Sequence, residues 1–262
     1  MDKAFGAIQT SDPDNDPSEG NTQMFTVKGV SFKMVNVEGG TFQMGSDDSE
    51  AGRFDSPVHQ VTLSSYSIGQ TEVTQALWYA VMGQKPTSDG DKWSSKYGLG
   101  DNRPAYNVSW EDCQEFITKL NQLTGKHFRM PTEAEWEFAA RGGTKSKGYK
   151  YAGSNTIDDV AWYTVNSNVL GNPNYGTHDV ATKRANELGI YDMSGNVLEW
   201  CNDWFGSYSS TVLTNPTGPT TGSHRVGRGG SWGGRALDCR VTLHSGSMPT
   251  DRSSYLGLRL AL

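Results

Sequence analysis

From Phe25 the chain reads FTVKGVSFKMVNVEGGTFQMGS, and the apolar Val30, Phe32 and Met34 alternate with polar neighbours, the period of a half-buried strand. Glu38, Gly39 and Gly40 interrupt the alternation before Phe42 and Met44 resume it, so two antiparallel strands joined by a tight turn are expected. The period then changes. In TEVTQALWYAVMG, Val73, Leu77, Val81 and either Tyr79 or Ala80 fall near helical spacing, with Thr71 as N-cap and Gly83 as stop. In SWEDCQEFITKLNQLTG, Ser109 opens a Ser-x-x-Asp cap, and Trp110, Cys113, Phe116, Ile117, Leu120 and Leu123 share one face before Gly125. A third helix starts after Pro131 at the Thr132-x-x-Glu135 capping box and ends at Gly142 and Gly143.

Outside these elements the pattern weakens. Residues 2–23 are polar and acidic, with little apolar surface to offset the entropy of ordering, so 1–24 is expected to be a flexible tether and 25–262 a single domain. From 143 to 231, Gly, Asn, Ser, Thr and Pro are punctuated by Trp162, Tyr163, Tyr191, Trp200 and Trp204, which reads as long anchored loops. Three strand-like pieces follow, RVGRGGSW, CRVTL and LGLRLAL. The last is expected to pair back into the sheet begun near residue 30.

Composition narrows the function classes. With 35% hydrophobic residues but 8 Trp, 11 Tyr, 9 Phe and 31 Gly, the core is expected to be aromatic and the connections glycine-rich. The net charge of −6 and the scattered Lys and Arg give no footprint for a nucleic acid partner. No apolar run is long enough to span a membrane, and MDKAFGAIQT lacks the pattern of a signal peptide. The 3 cysteines, Cys113, Cys201 and Cys239, fit neither a disulfide scaffold nor a CxxC zinc site, and Cys113 reads as a small buried hydrophobe on its helix face.

Few motifs carry chemistry. In GRGGSW the third glycine of a dinucleotide fingerprint falls on Trp232, and no phosphate-loop GKS or GKT occurs. The 5 histidines form no metal-spaced pair, and there is no GxSxG elbow. Glu133, Glu135 and Glu137 resemble paired catalytic carboxylates, but acidic residues favoured by the dipole of a first helical turn explain them better. In YDMSGNVLEW, Asp192, Gly195, Asn196 and Glu199 place oxygen donors in a tight turn, which suits Ca²⁺, or else a Gly-Asn turn buttressed by Trp200.

Taken in order, VEGGTFQMGS, HQVTLSSYSIGQTEVTQALWYAVMG, RPAYNVSWEDCQEFITKLN, RMPTEAEWEFAARGG, NELGIYDMSGNVLEWCNDW, RVGRGGSW and LGLRLAL resemble the formylglycine-generating enzyme, or sulfatase-modifying factor, family over roughly residues 30–262. The resemblance implies an α+β, elaborated C-type lectin fold with few short helices and strands and long loops. It implies calcium on the Asp192 side chain and the carbonyls of Met193, Gly195 and Val197, with a further calcium region around DDVAWYTVNSN. The family's enzymes use a pair of cysteines after GGSW or GGSY to bind copper and oxidise a substrate cysteine to formylglycine. Here Cys239 stands at the second position and Gly234 at the first, and one thiolate cannot replace two in holding copper. Copper is therefore not expected. The iron-dependent relatives that form sulfoxide bonds use histidines on an added helical domain, which this chain lacks.

The C-terminal segment more closely resembles the variable proteins of diversity-generating retroelements. That resemblance makes Gly229, Gly230, Ser231, Trp232, Ala236, Cys239, Arg240, Val241, Pro249, Arg252, Leu256, Gly257 and Arg259 framework. It makes Gly233, Gly234, Arg235, Leu237, Asp238, Leu243, His244, Ser245, Gly246, Ser247, Ser253, Ser254 and Tyr255 a variable, surface-exposed ligand-binding set. Arg235, His244 and Tyr255 are expected to dominate binding. The expected function is a non-catalytic binding protein whose partner is a protein or a cell-surface molecule. A non-catalytic family member of another role and a copper-dependent oxidase using Cys239 are the alternatives. A bacterial cell-surface location, as a lipoprotein whose signal is absent from this sequence, is expected, with the cytoplasm as the alternative.

Overall fold

The computed structural model describes residues 21–48, 55–86, 93–167 and 174–262, so residues 1–20 of the expected tether lie outside the described residues. Regular structure begins inside the predicted tether, at β1 (Thr22–Val27), which runs antiparallel to β2 (Val30–Val37). The Lys28-Gly29 turn between them has φ of 46° and 84°, the two positive values of a type I′ hairpin.

The expected hairpin between 30–37 and 40–44 does not form. β3 (Gly40–Met44) pairs with β4 (His59–Leu63), whereas β2 pairs with β5 (Tyr66–Gly69). Gly39 is the reason. A Cβ there would stand 2.5 Å from the Leu63 carbonyl oxygen and 2.8 Å from the Ser65 nitrogen, so the chain crosses closely over the β4–β5 connection into a second sheet.

The helices start and stop on their caps. α1 (Gln75–Met82) is capped by Thr74, whose hydroxyl accepts from Leu77 N at 3.2 Å, and Gly83 closes it at φ 74°. Thr71 is not the cap, because Val73 is extended: its N–H donates to Leu258 O and its carbonyl accepts from Ala105 N. α2 (Trp110–Thr124) has the Ser109–Asp112 capping box and ends on Gly125 at φ 64°. Cys113, Phe116, Ile117 and Leu120 are buried, while Leu123 and, on α1, Tyr79 face outward. Trp78 stacks on Phe116 with centroids 5.0 Å apart, locking α1 onto α2. α3 (Glu133–Ala140) is capped by Thr132 and Glu135 and is buried along its whole length.

Two single-turn helices, α4 (Ile157–Val160) and α5 (Thr164–Ser167), lie in the loop-rich stretch. Then comes β6 (Leu198–Trp204), a strand the hydrophobic pattern hides because Glu199, Trp200, Cys201 and Asp203 are all buried and no alternation survives. After β7 (Leu213–Thr214), β8 (Arg225–Arg228), β9 (His244–Ser247) and β10 (Leu256–Leu258) complete a sheet of order β10-β6-β8-β9. CRVTL is not a strand: Ala236–Cys239 is a 3₁₀ turn, and the chain turns again before β9. The C-terminal residues do return to the first sheet, through β5: Ser67 and Leu262 exchange N–H···O bonds of 3.0 and 2.9 Å.

Candidate functional site

Arg228 anchors the C-terminal segment. Fully buried, its guanidinium is ion-paired to Glu137 and lies 3.3 Å from Glu133, both on α3, and Nη1 donates to the carbonyls of Val241 and Leu243 at 3.1 and 3.0 Å. The α3 acids thus do more than answer the helix dipole. Glu137 lies beyond the first turn and holds Arg228, Arg141 and the Gly45 N–H, while Glu135 pairs with Arg129 at 2.6 Å. Burial opposes ionisation of Glu133, but Arg228 and His244 outweigh it and hold its carboxyl down at about 2.

Beyond Arg228, Gly229 and Gly230 take φ of 97° and 71°, and Gly230 passes so close to Cys239 that a Cβ would stand 2.7 Å from Sγ. Trp232 is then hooked at both ends: its N–H donates to Asn196 O at 2.7 Å and its indole Nε1 to Ser254 O at 2.8 Å. Cys239 closes the 3₁₀ turn with no exposed surface, and burial pushes its thiol up to about 12. Cys113, Cys201 and Cys239 are all buried and sit in three different apolar clusters, so none supplies a second thiol beside another.

The predicted ligand-binding positions separate into three groups. Around Trp232, Gly233 and Gly234 are half-buried, Arg235 is exposed, and Leu237 and Tyr255 are 40% and 38% exposed. Arg235 and Asp238 staple this turn through an ion pair of 3.0 Å and the Arg235 N–H to Asp238 Oδ2 at 2.8 Å. Tyr255 packs on Trp232 with centroids 4.6 Å apart, and Tyr175 and Tyr97 extend the aromatic wall at 5.0 and 6.0 Å from the indole. Sequence reasoning did not select Tyr97 or Tyr175, and neither lies in the segment that carried the resemblance.

Ser245, Gly246 and Ser247 form the second group, along β9 at the edge of its sheet, with Leu243 half-buried before it; Ser253 is half-buried ahead of Tyr255. His244 and Ser254 are corrections to the expected surface, being 4% and 3% exposed. His244 points inward, Nδ1 lying 2.6 Å from Glu133 Oε1 and its ring against Phe205 and Tyr208. The alternation of β9 sets this: a residue paired with Arg228 across the ladder shares its buried face. Ser254 is covered where its carbonyl receives the Trp232 indole.

Below the aromatic wall lies YDMSGNVLEW. Asp192, Gly195 and Asn196 take φ of 59°, 82° and 57°, folding the segment tightly. Asp192 Oδ2 accepts from Ala181 N at 2.7 Å, and Glu72 receives Asn196 Nδ2 and Val197 N at 2.9 and 3.1 Å. Glu199 is bound by Arg259 at 2.7 Å and by the Trp136 indole at 2.6 Å. Burial raises Glu72, and it raises Asp192 to about 6. Glu72, Asp192 and Glu199 are thus buried with Arg259 as their shared cation. Among the described residues no three His, Cys, Asp or Glu side chains gather in a metal-holding arrangement, so a calcium here would rest on Asp192 and main-chain carbonyls.

No helix among the described residues is long and apolar enough to cross a membrane. Residues 22–262 match the family model described as sulfatase-modifying factor enzyme 1-like domain. The formylglycine-generating enzyme of Streptomyces coelicolor is 31% identical over 284 residues, covering 87% of this chain and 88% of that protein. Chaperone protein LppX of Paenibacillus barcinonensis is 34% identical over 247 residues, 78% of this chain and 79% of its own length. Among solved structures, Treponema denticola variable protein 1 superposes with a TM-score of 0.78 at 34% identity, covering 92% of this chain and 98% of that one. PvdO from Pseudomonas aeruginosa follows at 0.71 and 26% identity, with 92% and 98% coverage. The chain belongs to the sulfatase-modifying factor family and has its α+β, elaborated C-type lectin fold.

Proposed function

We propose that this protein is a non-catalytic binding module whose ligand, a protein or another cell-surface molecule, is read by the surface around Trp232. One observation carries the reading: where the enzymes place two reactive thiols, this chain has Gly234 and a Cys239 sealed beneath Gly230, and the exposed groups above them are Arg235, Leu237 and Tyr255. A charged fork, an aliphatic side chain and an aromatic ring on a stapled turn offer the kinds of contact that dominate interface energetics. The likeness to Treponema denticola variable protein 1 supports this reading.

The test is a triple exchange, Arg235→Ala, Leu237→Ala and Tyr255→Ala, on the intact chain. Probed on an array of bacterial surface proteins, the wild type is expected to retain a defined set of targets that the folded triple variant loses. The copper-dependent alternative predicts conversion of a peptide containing Cys-x-Pro-x-Arg; turnover that disappears in Cys239→Ala would overturn the binding reading.

The proposal includes calcium at Asp192 with the carbonyls of Met193, Gly195 and Val197, where the ion would hold the turn that receives Trp232. Chelation is expected to lower the melting temperature of the wild type, calcium but not magnesium to restore it, and Asp192→Asn to abolish the response. It also includes display on a bacterial cell surface; loss of the protein from intact cells on brief external proteolysis tests this.

A further inference from the structure

A cavity lined by none of the Trp232 surface residues lies beneath the loop 206–219, with a volume of about 330 Å³. That is the lower end of the range for small-molecule sites. Its wall includes Asp203, Glu133, Trp204, Tyr208, His59 and Leu213. The two carboxylates are not equivalent. Glu133 is satisfied, receiving the Tyr208 hydroxyl at 2.7 Å and His244 Nδ1 at 2.6 Å, with Arg228 behind it.

Asp203 is only 3% exposed, and among the described residues its carboxyl group receives one hydrogen bond, from the Glu133 N–H to Oδ2 at 3.0 Å. It has no ion-pair partner among those residues. Of the nearby cations, Arg228 is paired with Glu133 and Glu137 and Arg129 with Glu135, while Arg225 is held between Trp110 and Trp204, its guanidinium carbon 3.8 and 3.5 Å from the ring centroids, with Nη1 donating to Asn202 O. The loop presses from the other side: a Cβ on Gly218 would stand 3.1 Å from Asp203 Oδ1. A buried carboxylate without a counter-ion is costly unless something pairs with it.

The chemistry of the wall selects the occupant. The described lining offers no Lys or Arg to pair with an anion. A positively charged N–H donor gains a charge-assisted bond to Asp203 and can lie against the Trp204 and Tyr208 rings, while Met44, Leu213 and Pro219 accept an apolar body. We propose that this cavity binds a small organic cation, a primary ammonium on a compact apolar body, with Asp203 as its counter-ion. No residue of the Trp232 surface takes part, so this site stands or falls independently of the proposed function.

Burial first, and then the charge of Glu133, raise the Asp203 carboxyl to about 8, so an ammonium ligand must displace a proton to bind near neutrality. The groups around Asp203 are Glu133 and Glu135 on α3, Arg129 before it, Arg225 and Arg228 on β8, and Cys201 on its own strand, with His59 and Tyr208 across the cavity and His244 behind Glu133. Asp203→Asn isolates the contribution of Asp203 from theirs.

The probe is phenethylamine, titrated calorimetrically and by the indole NMR signal of Trp204, with 2-phenylethanol as its neutral match and methyl glucoside as a polyol. Phenethylamine is expected to bind at least tenfold more tightly than the alcohol and to strengthen from pH 6 to 8.5. Asp203→Asn, which keeps an acceptor for the Glu133 N–H, is expected to cost at least tenfold and to flatten the pH dependence. Ser207→Trp, at the exposed lip, fills the mouth without touching Asp203 and is expected to abolish binding. Equal affinity for amine and alcohol, unchanged affinity in folded Asp203→Asn, or preference for the glucoside would overturn the proposal.

Discussion

The ring of Tyr255 stands in the space that a Cβ on Gly233 would need, so these two positions cannot both carry a side chain in the present arrangement. Gly233 has an ordinary backbone conformation, and Tyr255 is partly exposed. Gly233→Ala is therefore expected to cost less than about 1 kcal/mol and to open the Trp232–Tyr255 stack rather than the fold. Denaturant titration with tryptophan fluorescence checks this, and in a Tyr255→Ala background the same change should cost nothing further.

Positions that the sequence groups together should respond very differently to mutation. His244→Ala leaves a buried, ionised Glu133 short of a partner and is expected to cost about 1–3 kcal/mol or more. Arg235→Ala and Leu237→Ala act on exposed side chains, the Arg235–Asp238 pair being largely solvated, and should each leave the unfolding midpoint nearly unchanged. Equilibrium unfolding of the three variants side by side gives the comparison.

The cysteines yield a direct chemical prediction. Burial pushes all of them up, Cys239 to about 12, and nucleophilic attack requires an accessible thiolate. Native protein at pH 8 is expected to release no colour with a disulfide reagent over minutes, whereas denatured protein reports all 3 thiols. Rapid labelling of Cys239 in the native state would show that the Gly230 cover opens.

How much of this was legible depended on whether the decisive contacts were local. The caps at Ser109 and Thr132 and the αL glycines 83 and 125 are written within a few residues, and they stand where the sequence puts them. The partners of β2 and β3 were not, because a close approach at Gly39 and not the turn-like spelling Glu-Gly-Gly sends the chain into another sheet. β6 was invisible for the opposite reason, being buried on both faces. The family resemblance located the Trp232 segment, but not the inward turn of His244 or the contribution of Tyr97 and Tyr175, which come from distant stretches. Nothing in the spelling of CNDW distinguishes Asp203 from a surface aspartate; only the fold removes its counter-ion.

Asp203 and Glu133 also set opposite slopes in the dependence of stability on pH. The Asp203 carboxyl is raised from 3.8 to about 8, so between these values the folded state holds a proton that the unfolded chain has released, and stability falls as pH rises through that window. The Glu133 carboxyl is lowered from 4.5 to about 2, so its contribution is full above 4.5 and is lost as pH falls towards 2. Together they place the maximum of their joint contribution near the ordinary carboxylate range, on the acid side of neutrality. Urea unfolding from pH 3 to 9 is expected to show this, and Asp203→Asn should remove the decline between pH 5 and 8 while leaving the acid limb in place. A wild-type profile that rises steadily to pH 8 would mean that Asp203 is ionised in the folded protein at neutrality, its charge answered by a cation within reach of the cavity.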